Sequence, residues 1–413
     1  MLRRCRWRAF FKFLTPTLIL FDDFPVLAMP GLREVVVIDN GSYTIKAGVS
    51  GTYGSPTGTK LPDGVLRALI GRHRHPALLT MPNIQAIYHG HSAFRRRGIL
   101  GLRRPIQNAS IVNFDDVEAL WTYIYREDLE LPPSSHPVMM TDSPLNNPQD
   151  RSRMAQIAFD TLNVPALNIS NTASLALYAY SRTTGVVVDA GEDVTHIVPI
   201  QHGIPIRAKT LRIDIGGRDL AESVAFSTGE VLHVARDILA KTGYVALDHR
   251  GEVEVYRGGR GRPPEGVREN YELPDGSVLA MSDPPFMAPE LLFQPILRGY
   301  NSPGVHQQVE ACISSVDTAI RQELYSNVVL SGGSSLFPGL PERLRKEMSL
   351  LVGNEGKKSV EVVTMEGREI ASWIGGTILA GLGIFESMLA SKQEWQEFGE
   401  SIVHRRLDAA GSG

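Results

Sequence analysis

Residues 35–51 read VVVIDNGSYTIKAGVSG, and the fold turns on them. Val35, Val36, Val37 and Ile38 form a β-branched and apolar run, which predicts a buried strand. Asp39, Asn40, Gly41 and Ser42 then supply turn chemistry, and a second strand starts near Tyr43, so the unit is a β-hairpin. Its turn gathers backbone N–H groups and the Ser42 hydroxyl at one end, beside Asp39 and a few residues from Lys46. Clustered N–H groups of a tight turn bind anions, and a carboxylate there can hold a divalent cation directly or through water. That set suits a phosphate with its metal. Asp-Asn-Gly is also an ordinary hairpin turn, and the stretch alone does not separate the two readings.

An echo separates them. Residues 186–198 read VVVDAGEDVTHIV: a valine run, Asp189-Ala190-Gly191, then a second apolar strand. Asp189 follows Asp39 by 150 residues. Two hairpins with acidic turns, one in each half, predict a duplicated scaffold that grips one phosphate chain from both sides.

The chain has 413 residues, long enough for two domains. A hydrophobic fraction of 43%, a charged fraction of 21% and a net charge of −3 describe a globular protein and give no global signal for nucleic acid. The densest basic patch, Arg95-Arg96-Arg97 with Arg103-Arg104 after it, reads as a solvated loop face. Two cysteines, Cys5 and Cys312, do not support a disulfide framework and suit a reducing compartment. No stretch of about 20 apolar residues predicts a membrane span. Residues 1–28 combine four arginines with an apolar stretch interrupted by Lys12 and Pro16. They read as a secretory signal, another targeting presequence, or an upstream extension before a natural start at Met29; the cytosolic character of the rest favours the third.

Farther along, residues 52–65 read as loop and residues 75–91 as an exposed loop carrying apolar side chains. Residues 114–130 predict a helix with Asp115 and Asp116 at its start and Val117, Leu120, Trp121 and Ile124 on one face. Residues 148–162 predict another, with Gln156 off its apolar stripe. The stretch 249–272 contains RGGRGRPPEG and reads as low in complexity. A strand over Asn327–Leu330 runs into Ser331-Gly332-Gly333-Ser334-Ser335, a third glycine turn where backbone can approach a ligand closely. Residues 370–389 read as an apolar helical region broken at Gly375-Gly376, and the tail over 407–413 as disordered.

Ten segments in order, among them IDNGSYTIKAGVSG, RRGILGLRRPI, HPVMMTDSPLN, VVVDAGEDVTHIVPI, LRIDIGGRDL, LYSNVVLSGGSSLFPGL and ASWIGGTILAGL, resemble actin and the actin-related proteins. The resemblance runs from about Val35 to Arg406. It implies an α/β fold of two ribonuclease-H-like lobes around a central nucleotide cleft. The first lobe would cover 29–170 and the second 171–370, with helices over 371–406 returning to the first. ATP and Mg2+ would lie in the cleft. By position, Asp39, Asp189 and Gln156 would order the metal's water shell. Ser42, Lys46 and the turn N–H groups of Gly41, Tyr43, Gly191, Glu192 and Asp193 would hold phosphates. Gln156 and His196 would position the attacking water and relay its proton. Gly332, Gly333, Ser334 and Phe337 would line the adenosine side, with Arg236 near the base.

Departures from the family pattern bear on function. Tyr43 stands where conventional actins have glycine, and Glu192-Asp193 replaces their Asp-Gly. Leu239 and Ala240 stand where they place lysine and glutamate. Arg298 interrupts the apolar segment over 296–300 used in filament contacts. The resemblance therefore implies an ATP-binding cytoskeletal protein with slow or absent hydrolysis, acting as a filament or complex subunit. Its partners would be other actin-family subunits or actin-binding proteins, with no nucleic acid and no membrane, in the cytoplasm and, as a further place, the nucleus. The alternative is a non-hydrolysing structural subunit of a chromatin-remodelling or dynactin-like complex. A sugar kinase or chaperone of the same superfamily fits the hairpins but not the C-terminal segments.

Overall fold

The computed structural model describes residues 34–50, 62–74, 85–228, 231–258, 271–273, 276, 278–279, 283–353 and 359–407. The expectations for residues 1–28, most of the loops over 52–65 and 75–91, most of RGGRGRPPEG and the tail lie outside them. Two sheets carry the fold, and they share one topology. In the first, the strands run in the order Ala390–Ser391, Ala166–Asn171, Val138–Asp142, Val36–Asn40, Thr44–Val49, Gly64–Arg67. In the second the order is Val362–Val363, Val328–Ser331, Gly185–Ala190, Thr195–Gln201, Ile204–Pro205. Each is built on an antiparallel hairpin whose first strand pairs in parallel with a strand from farther along the chain. Val36, Val37, Ile38 and Val186, Val187 are fully buried, as β-branched strands covered on both faces should be.

Helices Thr172–Ala179 and Ala371–Ala380 lie between the sheets and join them. On one side Leu175, Trp373 and Ile374 pack with Val37 and Met139 of the first sheet. On the other Ala173, Ala176, Leu177 and Ala371 pack with Val187, Val198 and Val329 of the second. The second of these helices runs straight through Gly375-Gly376, where the sequence predicts a break. The reason is contact: a Cβ on Gly375 would lie 1.6 Å from the Leu175 carbonyl oxygen, so glycine lets the two helices touch backbone to backbone. A second departure is the helix His249–Arg257, within the stretch read as low in complexity; Asp248 caps it by accepting from the Gly251 N–H. Among the described residues no helix is long and apolar enough to cross a membrane.

Candidate functional site

Both hairpins place an aspartate one residue before the end of the first strand, and the cross-strand register decides what faces it. Asp39 pairs with Lys46, and Asp189 pairs with His196. The parallel neighbour places a hydroxyl beside each, Thr141 by Asp39 and Ser331 by Asp189. Asp39 is buried and satisfied: Lys46 Nζ lies 2.9 Å from Oδ2, and Thr141 Oγ1 donates to Oδ1 at 2.9 Å. Thr141 Oγ1 also accepts from the Asn40 N–H at 2.8 Å, and Trp121 Nε1 donates to Asn40 Oδ1 at 2.9 Å. The first turn is thus pinned to its own sheet. Its Gly41, Ser42 and Tyr43 N–H groups have no hydrogen-bond partner among the described residues.

Asp189 has no such cation of its own. Burial and the charge of Asp39 push its carboxyl up to about 6, against the pull of Lys46 and a hydrogen bond with Ser331. Its cross-strand neighbour His196 is buried, and burial with the charge of Arg212 pushes that imidazole down to about 4. It is therefore neutral at pH 7, and its buried Nε2 has no partner among the described residues. Two carboxylates within range of each other, one of them uncompensated, form a donor set that fits a divalent cation. Asp39 and Asp189 are the residues that would hold it.

The second turn is fixed from outside. The Gly191 N–H closes the turn onto the Val194 carbonyl at 3.0 Å. The Gly191 carbonyl accepts from the Gly217 N–H at 3.0 Å and from Ser334 Oγ at 2.7 Å, and the Glu192 carbonyl accepts from the Arg218 N–H at 2.7 Å. Gly332 lies directly under the turn with φ of +86°; a Cβ there would meet the Ala190 carbonyl oxygen at 2.3 Å. Gly333 faces open space, and Phe337 is half-buried against the second lobe's core beside Gly243. Ser334 is therefore spent on the turn itself.

The side chains of the second turn are also spent. Arg236 forms an ion pair with Glu192, and its guanidinium lies 5.2 Å from the centre of the Tyr43 ring. Burial raises the Glu192 carboxyl above its ordinary range although Arg236 and Arg104 draw it down. Asp193 is buried, and Arg104 Nη2 reaches both of its carboxylate oxygens, at 2.6 and 2.7 Å. The same Nη2 donates to the Ser42 carbonyl at 3.4 Å, and the Asn108 N–H donates to Asp193 at 2.9 Å. Arg104 thus bridges the two turns, and the expectation of a solvated loop face fails for it. Its arginine neighbours 95–97 are exposed. A cavity of about 440 Å³ opens beside the bridge, lined by Arg104, Asn108, Asp193, Arg212, Asp214 and Arg218 among others.

The structure brings Asp39, Lys46, Asp189 and both turns together. The Gln156 Oε1 accepts from Arg153 Nη1 of the same helix at 2.6 Å. Arg236 sits on Glu192 and Tyr43. Leu239 is in the second lobe's core and Ala240 is exposed, so neither offers a charged contact to a ligand. Thr141, Ser331 and Arg104 were not legible as site residues. The one signal for Arg104 is indirect: a carboxylate at the Asp193 turn position demands a cation from somewhere.

A family model described as Actin matches the chain over residues 32–231 and again over 223–408. The two matches together span both sheets, both acidic turns and the helices between the sheets. The chain belongs to the actin family, and its two halves are the lobes of the actin-like ATPase fold.

Proposed function

We propose that this protein is an actin-family subunit of a filament or larger complex, whose cleft takes a magnesium nucleotide and turns it over slowly or not at all. The carrying observation is the pair Asp39 and Asp189, one balanced by Lys46 and the other left facing a neutral His196. A divalent cation bound there would supply the missing positive charge and screen the phosphates from the carboxylates. Lys46 and the free N–H groups of Gly41, Ser42 and Tyr43 would hold the phosphate chain. Slow turnover is supported by Gln156, whose side-chain oxygen is engaged by Arg153 Nη1. Positioning is most of what phosphoryl transfer asks of a protein.

Within that reading the partners are other actin-family subunits or actin-binding proteins, in the cytoplasm and cytoskeleton. One observation favours a non-hydrolysing place in a chromatin-remodelling or dynactin-like assembly, which would add the nucleus. Arg298 interrupts the exposed segment carrying Ile296 and Leu297 and lies over the exposed Phe226 ring at 5.4 Å.

Thermal unfolding of the full chain with Mg–ATP, Mg–ADP or magnesium alone tests the cleft. At a hundredfold excess over Kd a bound nucleotide adds about 3 kcal/mol, a rise of several degrees in Tm for one nucleotide at least. Asp189→Ala abolishes the rise. A folded protein whose Tm ignores both nucleotides overturns the reading.

A further inference from the structure

We infer that the Arg104–Asp193 pair takes the part of a terminal phosphate, and that the cleft takes a magnesium nucleoside diphosphate in preference to the triphosphate. The inference rests on the nucleotide reading above and adds a substrate class to it.

A phosphate chain held between two turns would link them by accepting from the donors of both. Here the link is already made by protein. Arg104 comes from the first lobe, and its Nη2 holds the Ser42 carbonyl of the first turn and the Asp193 carboxylate of the second together. The Asn108 N–H adds a second bond from the first lobe to Asp193, and Arg212 Nη1 returns one to the Asn108 carbonyl at 3.1 Å. The anion between the turns is therefore a carboxylate of the chain.

The charge balance points the same way. Near the turn tips the cations are Lys46, Arg104, Arg236, Arg212 and Arg218, and each already faces a carboxylate: Asp39, Asp193, Glu192, Asp214 and Glu222. Asp189 alone has no cation, which a metal ion would correct. Each positive side chain of this set is already balanced by a carboxylate of the chain, so a longer phosphate chain adds negative charge with no unbalanced cation to meet it. The second turn does offer the N–H groups of Glu192 and Asp193, unpartnered among the described residues. The carboxylates on those same two residues oppose any anion those N–H groups attract. A magnesium diphosphate brings one negative charge fewer than a magnesium triphosphate, and so less anion for these carboxylates to oppose.

Calorimetric titration of the full chain with Mg–ADP and Mg–ATP tests this, for the natural protein and for Asp193→Asn. Asparagine keeps an oxygen for Arg104 and the Asn108 N–H but removes the charge. The natural protein binds Mg–ADP at least about tenfold more tightly than Mg–ATP. In Asp193→Asn the ratio falls to within about twofold of unity, the gain falling on the triphosphate. Should Asp193→Asn not fold, Asp193→Ser, which also removes the charge and leaves Arg104 in place, gives the same readout. A natural protein that binds both nucleotides alike, or a ratio unmoved by the substitution, overturns the inference and leaves the nucleotide reading standing. Binding of neither nucleotide overturns both.

Discussion

The two acidic turns share a skeleton and differ in how they are neutralised. Each has an aspartate, a cross-strand neighbour seven residues on and a hydroxyl from the parallel strand: Asp39, Lys46 and Thr141 in one, Asp189, His196 and Ser331 in the other. The first neighbour is a cation and the second a neutral imidazole. At the tips the first turn carries Gly41, Ser42 and Tyr43, whereas the second carries Glu192 and Asp193, balanced by Arg236 and by Arg104 from the other lobe. The first turn is electrostatically complete within its own hairpin. The tip of the second is balanced only through partners far away in sequence, so it is where the two lobes become dependent on each other.

The largest expected effect breaks that dependence. Arg104→Ala leaves Asp193, whose side chain is 4% exposed, without its cation. Breaking one half of a buried ion pair costs about 3–5 kcal/mol. The denaturation midpoint should fall accordingly, and Asp193→Gly in the same chain should recover more than half of the loss, because it removes the stranded charge. A loss under about 1 kcal/mol for Arg104→Ala would mean that the pair contributes as little as a surface pair does.

A second pair of substitutions sharpens the contrast between the aspartates. Asp39→Asn weakens a satisfied ion pair with Lys46 and destabilises. Asp189→Asn does the opposite in nucleotide-free protein. A carboxyl raised to about 6 contributes stability that is present below its ordinary value of 3.8 and lost as pH rises through 6. At pH 7.5 the ionised Asp189 therefore forgoes about 3 kcal/mol, part of which asparagine restores. His196 has the reverse sign: held near 4, its contribution is present above 6.5 and lost as pH falls toward 4. Between pH 6.5 and 4 the two trends nearly cancel. Asp189→Asn should expose the His196 trend, a loss of about 3 kcal/mol on acidification relative to the natural protein, read from urea midpoints at each pH. Equal acid sensitivity in both proteins would place the uncompensated charge elsewhere.

What was legible in the sequence follows the range of the interaction behind it. The hairpins declared themselves because β-branched runs and turn residues act locally, and Asp39 and Asp189 came with them. The hydroxyls of Thr141 and Ser331 reach the site only through parallel pairing across 102 and 142 residues, which no local pattern reports. Gly375-Gly376 looked like a helix break because glycine weakens isolated helices. Its reason here, close contact with Leu175, belongs to the partner helix. Arg104 was hidden in the same way among exposed arginines. Its role is fixed by Asp193, 89 residues on, whose charge on a turn was the visible half of the pair.

The smallest expected effect concerns an aromatic contact beside the turns. Tyr43, on the first turn, has two guanidinium groups near its ring, those of Arg67 and Arg236, both 5.2 Å from its ring centre. Arg67 also lies over the Phe94 ring at 3.9 Å and so keeps a partner without Tyr43. Arg236 keeps Glu192, the second turn's own carboxylate. The Tyr43–Arg236 contact therefore adds to the Arg104 bridge without replacing it, and a cation–π pair at a half-buried site contributes about 0.5–1 kcal/mol. Tyr43→Phe keeps the ring face and should leave the unfolding midpoint within error. Tyr43→Leu should lose about 1 kcal/mol, and its effect should shrink when Arg236→Leu is already present, since the shared contact is then gone. Fully additive losses would assign the Tyr43 contribution to Arg67 and its own lobe, leaving Arg104 with the carbonyl of Ser42 as the bond between the two turns.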